Sequence, residues 1–199
     1  MTGDERVVLC GPDGDAAGTM SKRSVHHTDT PLHLAFSCYA FDEQGRVLVT
    51  WRAKSKLTWP GVRTNTCCGH PLPGEEMRAA VARRMWHELG LVVERAQVHL
   101  LLPRFRYRAV MAETGIVEHE MCPVWRVVVS GGASVVPAAD EVDRYTWVPW
   151  LDFCETVGDD PSSVSPWCAL QVMALWRLGD DPLGWPVADD AELPPAAVA

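Results

Sequence analysis

The stretch CCGHPLPGEEMRAAVARRMWHELG (67–90) decides the architecture. Its first part closes a Gly- and Pro-rich segment, LTWPGVRTNTCCGHPLPG (57–74), which is expected to be an extended loop with one short strand. Its second part carries the marks of a helix. Pro73 and Gly74 precede it, Glu75 and Glu76 give it an acidic first turn, and Gly90 stops it. Val81, Met85 and Leu89 recur at helical spacing and form a buried stripe. Arg84 and Glu88, also at helical spacing, share another face.

Upstream, VVLC (7–10) is a short strand followed by the turn region GPDGDAAG. LAFSCYAF (34–41) and RVLVTWR (46–52) are strands joined by a hairpin signal, Asp42–Gly45. Downstream, FRYRAV (105–110), GIVEHEMCPVWRVVVS (115–130) and YTWVPW (145–150) are strands, the second with Pro123 at a bend or edge. SPWCALQVMALWRL (165–178) is a second helix, with Ser165 as its cap and Pro166 in its first turn. From Gly179 onward Pro, Ala and Asp dominate, and residues 179–199 are expected to be a mobile tail. This order of elements predicts one domain over 1–178, an α/β sandwich around a mixed sheet.

The chain has 199 residues, 47% hydrophobic and 22% charged, which fits one globular domain and argues against global disorder. No apolar run reaches the roughly 18 residues of a membrane span, and MTGDERVVLC has no signal-peptide pattern, so a cytoplasmic protein without a membrane partner is expected. The net charge of −8 makes a broad nucleic-acid footprint unlike this chain. Five acids and no base fall in the last twenty residues, whereas seven Arg lie between Arg78 and Arg108, leaving room for a local anion pocket. The seven cysteines are odd in number, and Cys67 and Cys68 are adjacent, so reduced thiols fit better than a disulfide framework. The absence of a CxxC pair argues against a Cys-rich zinc knuckle.

The densest polar signal is HHTDTPLH (26–33), CCGH (67–70) and VEHE (117–120). In an extended strand Glu118 and Glu120 project together while His119 points away. Two carboxylates on the inner face of a sheet need a compensating cation or hydrogen bonds. His26, His33 and His70 could complete a cation site, and three imidazoles with two carboxylates suit Zn²⁺ or Mn²⁺.

Between residues 7 and 178, the segments HTDTPLHLAFS, RVLVTWRAKSKLTWPG, TNTCCGHP, HELG, FRYRA, GIVEHEMCPVW and SPW together resemble the type I isopentenyl-diphosphate delta-isomerases, members of the Nudix fold superfamily. The resemblance implies a Nudix-like α/β/α sandwich around a mixed sheet. Gly69, Glu75, Arg83, Met85, Glu88 and Gly90 fall in register with the superfamily's signature box. Arg84 and His87 stand where Nudix hydrolases carry two acids. A cation at 84 removes metal-binding capacity and adds a clamp for a diphosphate.

By the same resemblance, His26, His33, His70, Glu118 and Glu120 hold one divalent metal (Mn²⁺, Zn²⁺ or Mg²⁺), and His27 is an exposed bystander. A Mg²⁺ bridging the diphosphate is implied at Glu88 and the backbone carbonyl of Cys68. Cys68 is implied as the catalytic thiol, while Cys67, adjacent on an extended segment, points the opposite way. Glu120 assisted by Tyr107 is implied for proton transfer, and Trp167 for facing a carbocation. Lys22, Arg52, Lys56 and Arg84 match the family's diphosphate contacts, and Lys54 and Arg63 are taken as surface residues. The implied reaction moves the double bond of isopentenyl diphosphate to give dimethylallyl diphosphate, so the expected partner is a small isoprenoid diphosphate. A Nudix-type diphosphate hydrolase is the alternative, and a non-catalytic, metal-stabilised binding protein is a third reading. The stretches 91–104 and 108–117 are poorly anchored to the family pattern.

Overall fold

The chain, described over residues 5–130 and 132–198 in a computed structural model, opens with β1 (Arg6–Cys10), β2 (Ala16–Ser21) and one turn of helix, α1 (Lys22–Val25). Then come β3 (His33–Leu34), β4 (Phe36–Phe41), β5 (Arg46–Arg52), β6 (Arg63–Thr64) and β7 (Cys67–Gly69). Helix α2 (Met77–Leu89) follows, then β8 (Val98–Leu102), β9 (Arg106–Val110), β10 (Val117–Met121), β11 (Val124–Val128) and β12 (Val142–Pro149). Helices α3 (Trp150–Asp159) and α4 (Pro166–Trp176) complete the core.

The strands form two mixed sheets rather than one. The smaller has the order β2-β1-β3-β10-β9, and the larger β12-β5-β4-β11-β8, with β6 on β5 and β7 on β4. The expected single strand 115–130 breaks at Cys122–Pro123 into β10 and β11, one in each sheet. Its parallel neighbour breaks at the matching point, Ala35, between β3 and β4. Ala35 N–H donates to Met121 O at 2.9 Å and Ser37 N–H to Pro123 O at 3.1 Å, so the two breaks remain side by side. Pro123 cannot donate to a ladder, which is why the strand changes partners there.

Along β4 the side chains alternate between two cores. Phe36, Cys38 and Ala40 pack with Met77, Ala80, Val81, Met85 and Leu89 of α2. Tyr39 and Phe41 pack with Phe153 and Val157 of α3 and with Trp167, Cys168 and Val172 of α4. A strand's twofold period thus buries both faces of the larger sheet and gives the α/β/α layering. Burying each large apolar side chain contributes about 1.5–3 kcal/mol, and the α2 stripe is fully withdrawn from solvent. Helix α2 begins at Met77 because Glu76 is its cap, accepting from Arg78 N–H at 3.1 Å and Ala79 N–H at 3.2 Å. Gly90 ends it at φ 66°, a left-handed conformation glycine adopts freely.

Helix α3 has no counterpart among the expected elements; YTWVPW is the end of β12 running directly into it at Trp150. The described part of the C-terminal segment, 179–198, packs against the domain. Trp185, Leu193 and Ala196 are buried, Ala188 N–H donates to Leu100 O at 2.9 Å, and Ala196 N–H to Gly14 O at 2.9 Å. Arg78 forms a two-point ion pair with Asp190. A few spaced apolar anchors tie the segment down despite its Pro/Ala/Asp composition.

Candidate active site

A cavity of about 290 Å³ opens where the two sheets meet α2 and α4. Of the thirteen residues expected at the site, twelve line it; the remaining one, His33, is fully buried just behind. The register explains the convergence: Glu120 on β10 lies beside His33 on β3 and Tyr107 on β9. His26 follows α1 and His70 follows β7.

The three imidazoles form a triangle, with ring centroids 5.2 Å apart (His26–His33), 5.7 Å (His26–His70) and 5.1 Å (His33–His70). One ligand atom from each, with a Glu120 carboxylate oxygen, fits within a mutual separation of 4.8 Å. His33 Nδ1 lies 2.9 Å from Pro31 O, which satisfies a proton on Nδ1 and turns Nε2 toward Glu120. Burial opposes the His33 charge, but the Glu120 carboxylate outweighs it and raises the His33 pKa. His26 Nε2, His33 Nε2 and both ring nitrogens of His70 are buried without a hydrogen-bond partner. Glu120 Oε1 is 3.6 Å from His33 Nε2 and 3.3 Å from His70 Nε2. Burial drives His26 down to about 3 and His70 to about 4, so both keep free lone pairs near neutrality. Orphaned imidazole nitrogens converging on a carboxylate can hold a divalent metal ion. His27 is exposed. Glu118 falls outside this four-residue cluster and faces Tyr107 instead.

Tyr107 O–H lies 2.7 Å from Glu118 Oε2 and 2.8 Å from Glu120 Oε2. One phenolic hydrogen cannot satisfy both acids. Burial, reinforced by the neighbouring carboxylate, pushes Glu118 above the usual range. Burial acts on Glu120 in the same direction, but His33 and His70 outweigh it and hold Glu120 well below that range. The two carboxyls therefore differ in acid strength.

Cys67 and Cys68 diverge as an extended segment requires. Cys67 is buried in the α2-side core, whereas Cys68 faces the α4 side and the cavity. The Cys68 sulfur is 3.3 Å from Ser37 Oγ and 3.3 Å from Asn65 Oδ1. Burial pushes its pKa up to about 12, so the resting group is a thiol. Asn65 donates to the Cys38 and Cys67 carbonyls at 3.1 and 2.9 Å, which turns its Oδ1 toward Cys68. The same oxygen accepts from Trp167 Nε1–H at 3.2 Å. Gln171 holds Ser37 in turn, donating to Oγ at 2.9 Å. Trp167 is further framed by Tyr107, with centroids 5.8 Å apart, and by an edge-on Trp59 at 5.4 Å.

At the mouth, Arg52 is fixed by Thr58 O and Oγ1, both at 3.0 Å, and lies 5.4 Å from the Trp167 ring centroid. Lys22 pairs with Glu5 at 3.0 Å. Arg84 holds Glu88 at 2.6 Å and Glu141 at 3.1 Å, and Lys56 pairs with Glu141. Burial opposes the Arg84 charge, but these carboxylates outweigh it and raise its pKa. Gly69 allows the approach: a Cβ there would meet Arg84 Cγ at 2.9 Å and Phe36 Cζ at 3.0 Å. Glu88 and Cys68 line the same cavity. Arg63, expected at the surface, is half-buried with its guanidinium 5.0 Å over Phe153, because an amphipathic stem can cover apolar area.

Asn65, Ser37, Gln171, Thr58 and Glu141 were not expected at the site. Asn65 had a signal, an amide inside TNTCCGHP beside the thiol; Glu141 had none, standing alone in a loop segment.

A NUDIX domain model matches residues 31–168. An isopentenyl-diphosphate Delta-isomerase of Saccharopolyspora erythraea is 50% identical over 98% of this chain and 97% of its own. The chain belongs to the isopentenyl-diphosphate Delta-isomerase family. Another member, from Rhizobium rhizogenes, is 47% identical over 97% of this chain and 90% of its own. The Nudix fold of this isomerase family is also seen in a solved protein from Deinococcus radiodurans, with TM-score 0.62 and 14% identity over 85% of this chain and 98% of that one. A MutT protein from Methanosarcina mazei gives TM-score 0.57 and 17% identity over 75% and 96%.

Proposed function

We propose that the protein isomerises isopentenyl diphosphate to dimethylallyl diphosphate by adding a proton to one carbon and removing one from another. The observation that carries this reading is one cavity holding a thiol, a carboxylate–phenol group and a ring of bases. The thiol comes from the larger sheet and the carboxylates from the smaller. A substrate chain between them meets an acid–base group on each side.

Protonating the terminal methylene carbon leaves a tertiary carbocation, and losing a proton from the carbon nearer the diphosphate gives the product. Cys68 serves one face; Glu120, assisted by Tyr107, serves the other. A neutral thiol opposite an ionised Glu120 is one of the two proton arrangements such a swap needs, and the reverse direction starts from the other. Trp167 turns electron density toward the cation without offering a nucleophile, worth roughly 0.5–2 kcal/mol. Lys22, Arg52, Lys56 and Arg84 hold the diphosphate, with bidentate contacts available from the two guanidiniums.

His26, His33, His70 and Glu120 would hold one divalent metal, with Glu118 close by, and a Mg²⁺ would sit at Glu88 and the Cys68 carbonyl. When bound, these ions supply positive charge that fixes Glu120 and neutralises the diphosphate. The isomerase reading is favoured over diphosphate hydrolysis because Arg84 and His87 occupy positions where a hydrolase needs acids, and Arg84 engages Glu88.

Incubating the purified chain with isopentenyl diphosphate and Mg²⁺ tests the reading. Dimethylallyl diphosphate without phosphate release is expected. Phosphate release without a double-bond shift would replace it with the hydrolase.

A further inference from the structure

The bases at the cavity mouth are already partnered by carboxylates of the chain itself. Glu141 sits just before β12, its backbone fixed by Ala53 N–H donating to its carbonyl at 2.9 Å and by its own N–H donating to Ala138 O at 2.9 Å. Its Oε1 is 3.1 Å from Arg84 Nη2 and its Oε2 pairs with the Lys56 ammonium. Two of the four diphosphate-holding bases are thus bridged by one carboxylate that is only 12% exposed. Glu88 takes the rest of the Arg84 fork at 2.6 and 3.0 Å, and Glu5 takes Lys22.

Lys22, Arg52, Lys56 and Arg84 are four cations, and Glu5, Glu88 and Glu141 are three carboxylates, which leaves one positive charge on these paired groups, with the solvent-exposed Arg23 also on the cavity wall. An isoprenoid diphosphate carries about three negative charges near neutrality, and its Mg²⁺ complex about one. With three of the four bases already paired to carboxylates, the cradle is short of positive charge for the free anion, and the magnesium complex asks less of it.

We propose that Glu141 is a specificity-determining residue: it occupies the diphosphate cradle of the empty enzyme and sets the cradle's charge so that magnesium-bound diphosphate is accepted and the free anion is rejected. A free anion must displace Glu141 from both bases and is then held by too little positive charge. The magnesium complex brings its own cation, which Glu88 and the displaced Glu141 can face. This inference rests on the isomerase reading, because it takes the mouth to be a diphosphate site.

The test is calorimetric binding of inorganic diphosphate to the full chain, with and without Mg²⁺, for wild type, Glu141→Gln and Glu141→Asp, with turnover of isopentenyl diphosphate measured in parallel. Wild type should strongly prefer the magnesium complex. Glu141→Gln should bind the Mg²⁺-free anion at least tenfold more tightly than wild type, with less than a threefold gain for the complex. Glu141→Asp keeps the charge but cannot span both bases, and should show an intermediate gain; it carries the test if Glu141→Gln fails to fold. Unchanged or weaker binding of the free anion by the variants, in an enzyme that turns over normally as wild type, overturns the inference and leaves the isomerase reading standing. A wild type that neither turns over substrate nor binds diphosphate in either form overturns both.

Discussion

Adjacent cysteines with opposite surroundings allow activity and stability to be separated by two single-atom deletions. Cys68→Ala removes the sulfur that faces the cavity. The groups around it keep other partners: Asn65 Oδ1 still accepts from Trp167 and Thr64, and Ser37 is still held by Gln171. The stability cost should therefore be that of a weak hydrogen bond, about 1 kcal/mol or less. The activity cost should be that of a lost proton-transfer group, roughly 10²–10⁴-fold, or about 3–5 kcal/mol in the barrier. Cys67→Ala does the reverse. Cys67 is 3% exposed in the core beneath α2, so losing its sulfur leaves a small void costing about 1–2 kcal/mol, while turnover should stay near wild type. Thermal unfolding and product formation from isopentenyl diphosphate, measured on the same samples, give both readouts. An inactive but folded Cys67→Ala, or a Cys68→Ala retaining more than about a tenth of wild-type activity, would refute the assignment of the thiol.

Trp167→Leu should lower kcat by about two- to thirtyfold, the range of a cation–aromatic contact, and Trp167→Phe should lose less because a ring remains; equal losses in steady-state kinetics would count against the carbocation-facing role. His33→Asn and His70→Asn should each abolish stoichiometric binding of a divalent transition metal, and His27→Asn should not, as elemental analysis of dialysed protein will report. Glu141 has its pKa depressed to about 2, burial being outweighed by Arg84 and Lys56. Its stabilising contribution is therefore present above the unfolded value near 4.5 and lost as pH falls through about 2. The melting temperature of wild type should consequently fall further below pH 4.5 than that of Glu141→Gln, and parallel acid profiles would contradict this.

Much of the molecule was legible because local chemistry and global packing agree. The α2 stripe of Val81, Met85 and Leu89, its end at Gly90 and the hairpin at Asp42–Gly45 all lie where short-range signals put them. The divergence of Cys67 and Cys68 needed only strand alternation. Three features were hidden for a common reason: they depend on partners distant in sequence. The break at Cys122–Pro123 becomes a change of sheet only because β3 and β4 break beside it. The C-terminal segment is ordered by Arg78, Leu100 and Gly14, which its own composition does not reveal. Glu141 becomes part of the site only when β12 carries it to Lys56 and Arg84. Helix α3 was missed because YTWVPW has strand composition and the helix follows it with no intervening loop. The residues of the histidine cluster, by contrast, were visible as a concentration of ligand types, though Glu118 proved to face Tyr107 rather than join the four-residue cluster.

The central claim, that this cavity moves a double bond by adding and removing protons, is tested most directly by turnover in D₂O with mass and NMR analysis of the product. Deuterium in the newly formed methyl group of dimethylallyl diphosphate is expected, with none gained by Cys68→Ala under the same conditions. Dimethylallyl diphosphate formed by wild type with no deuterium in its carbon skeleton would contradict the account.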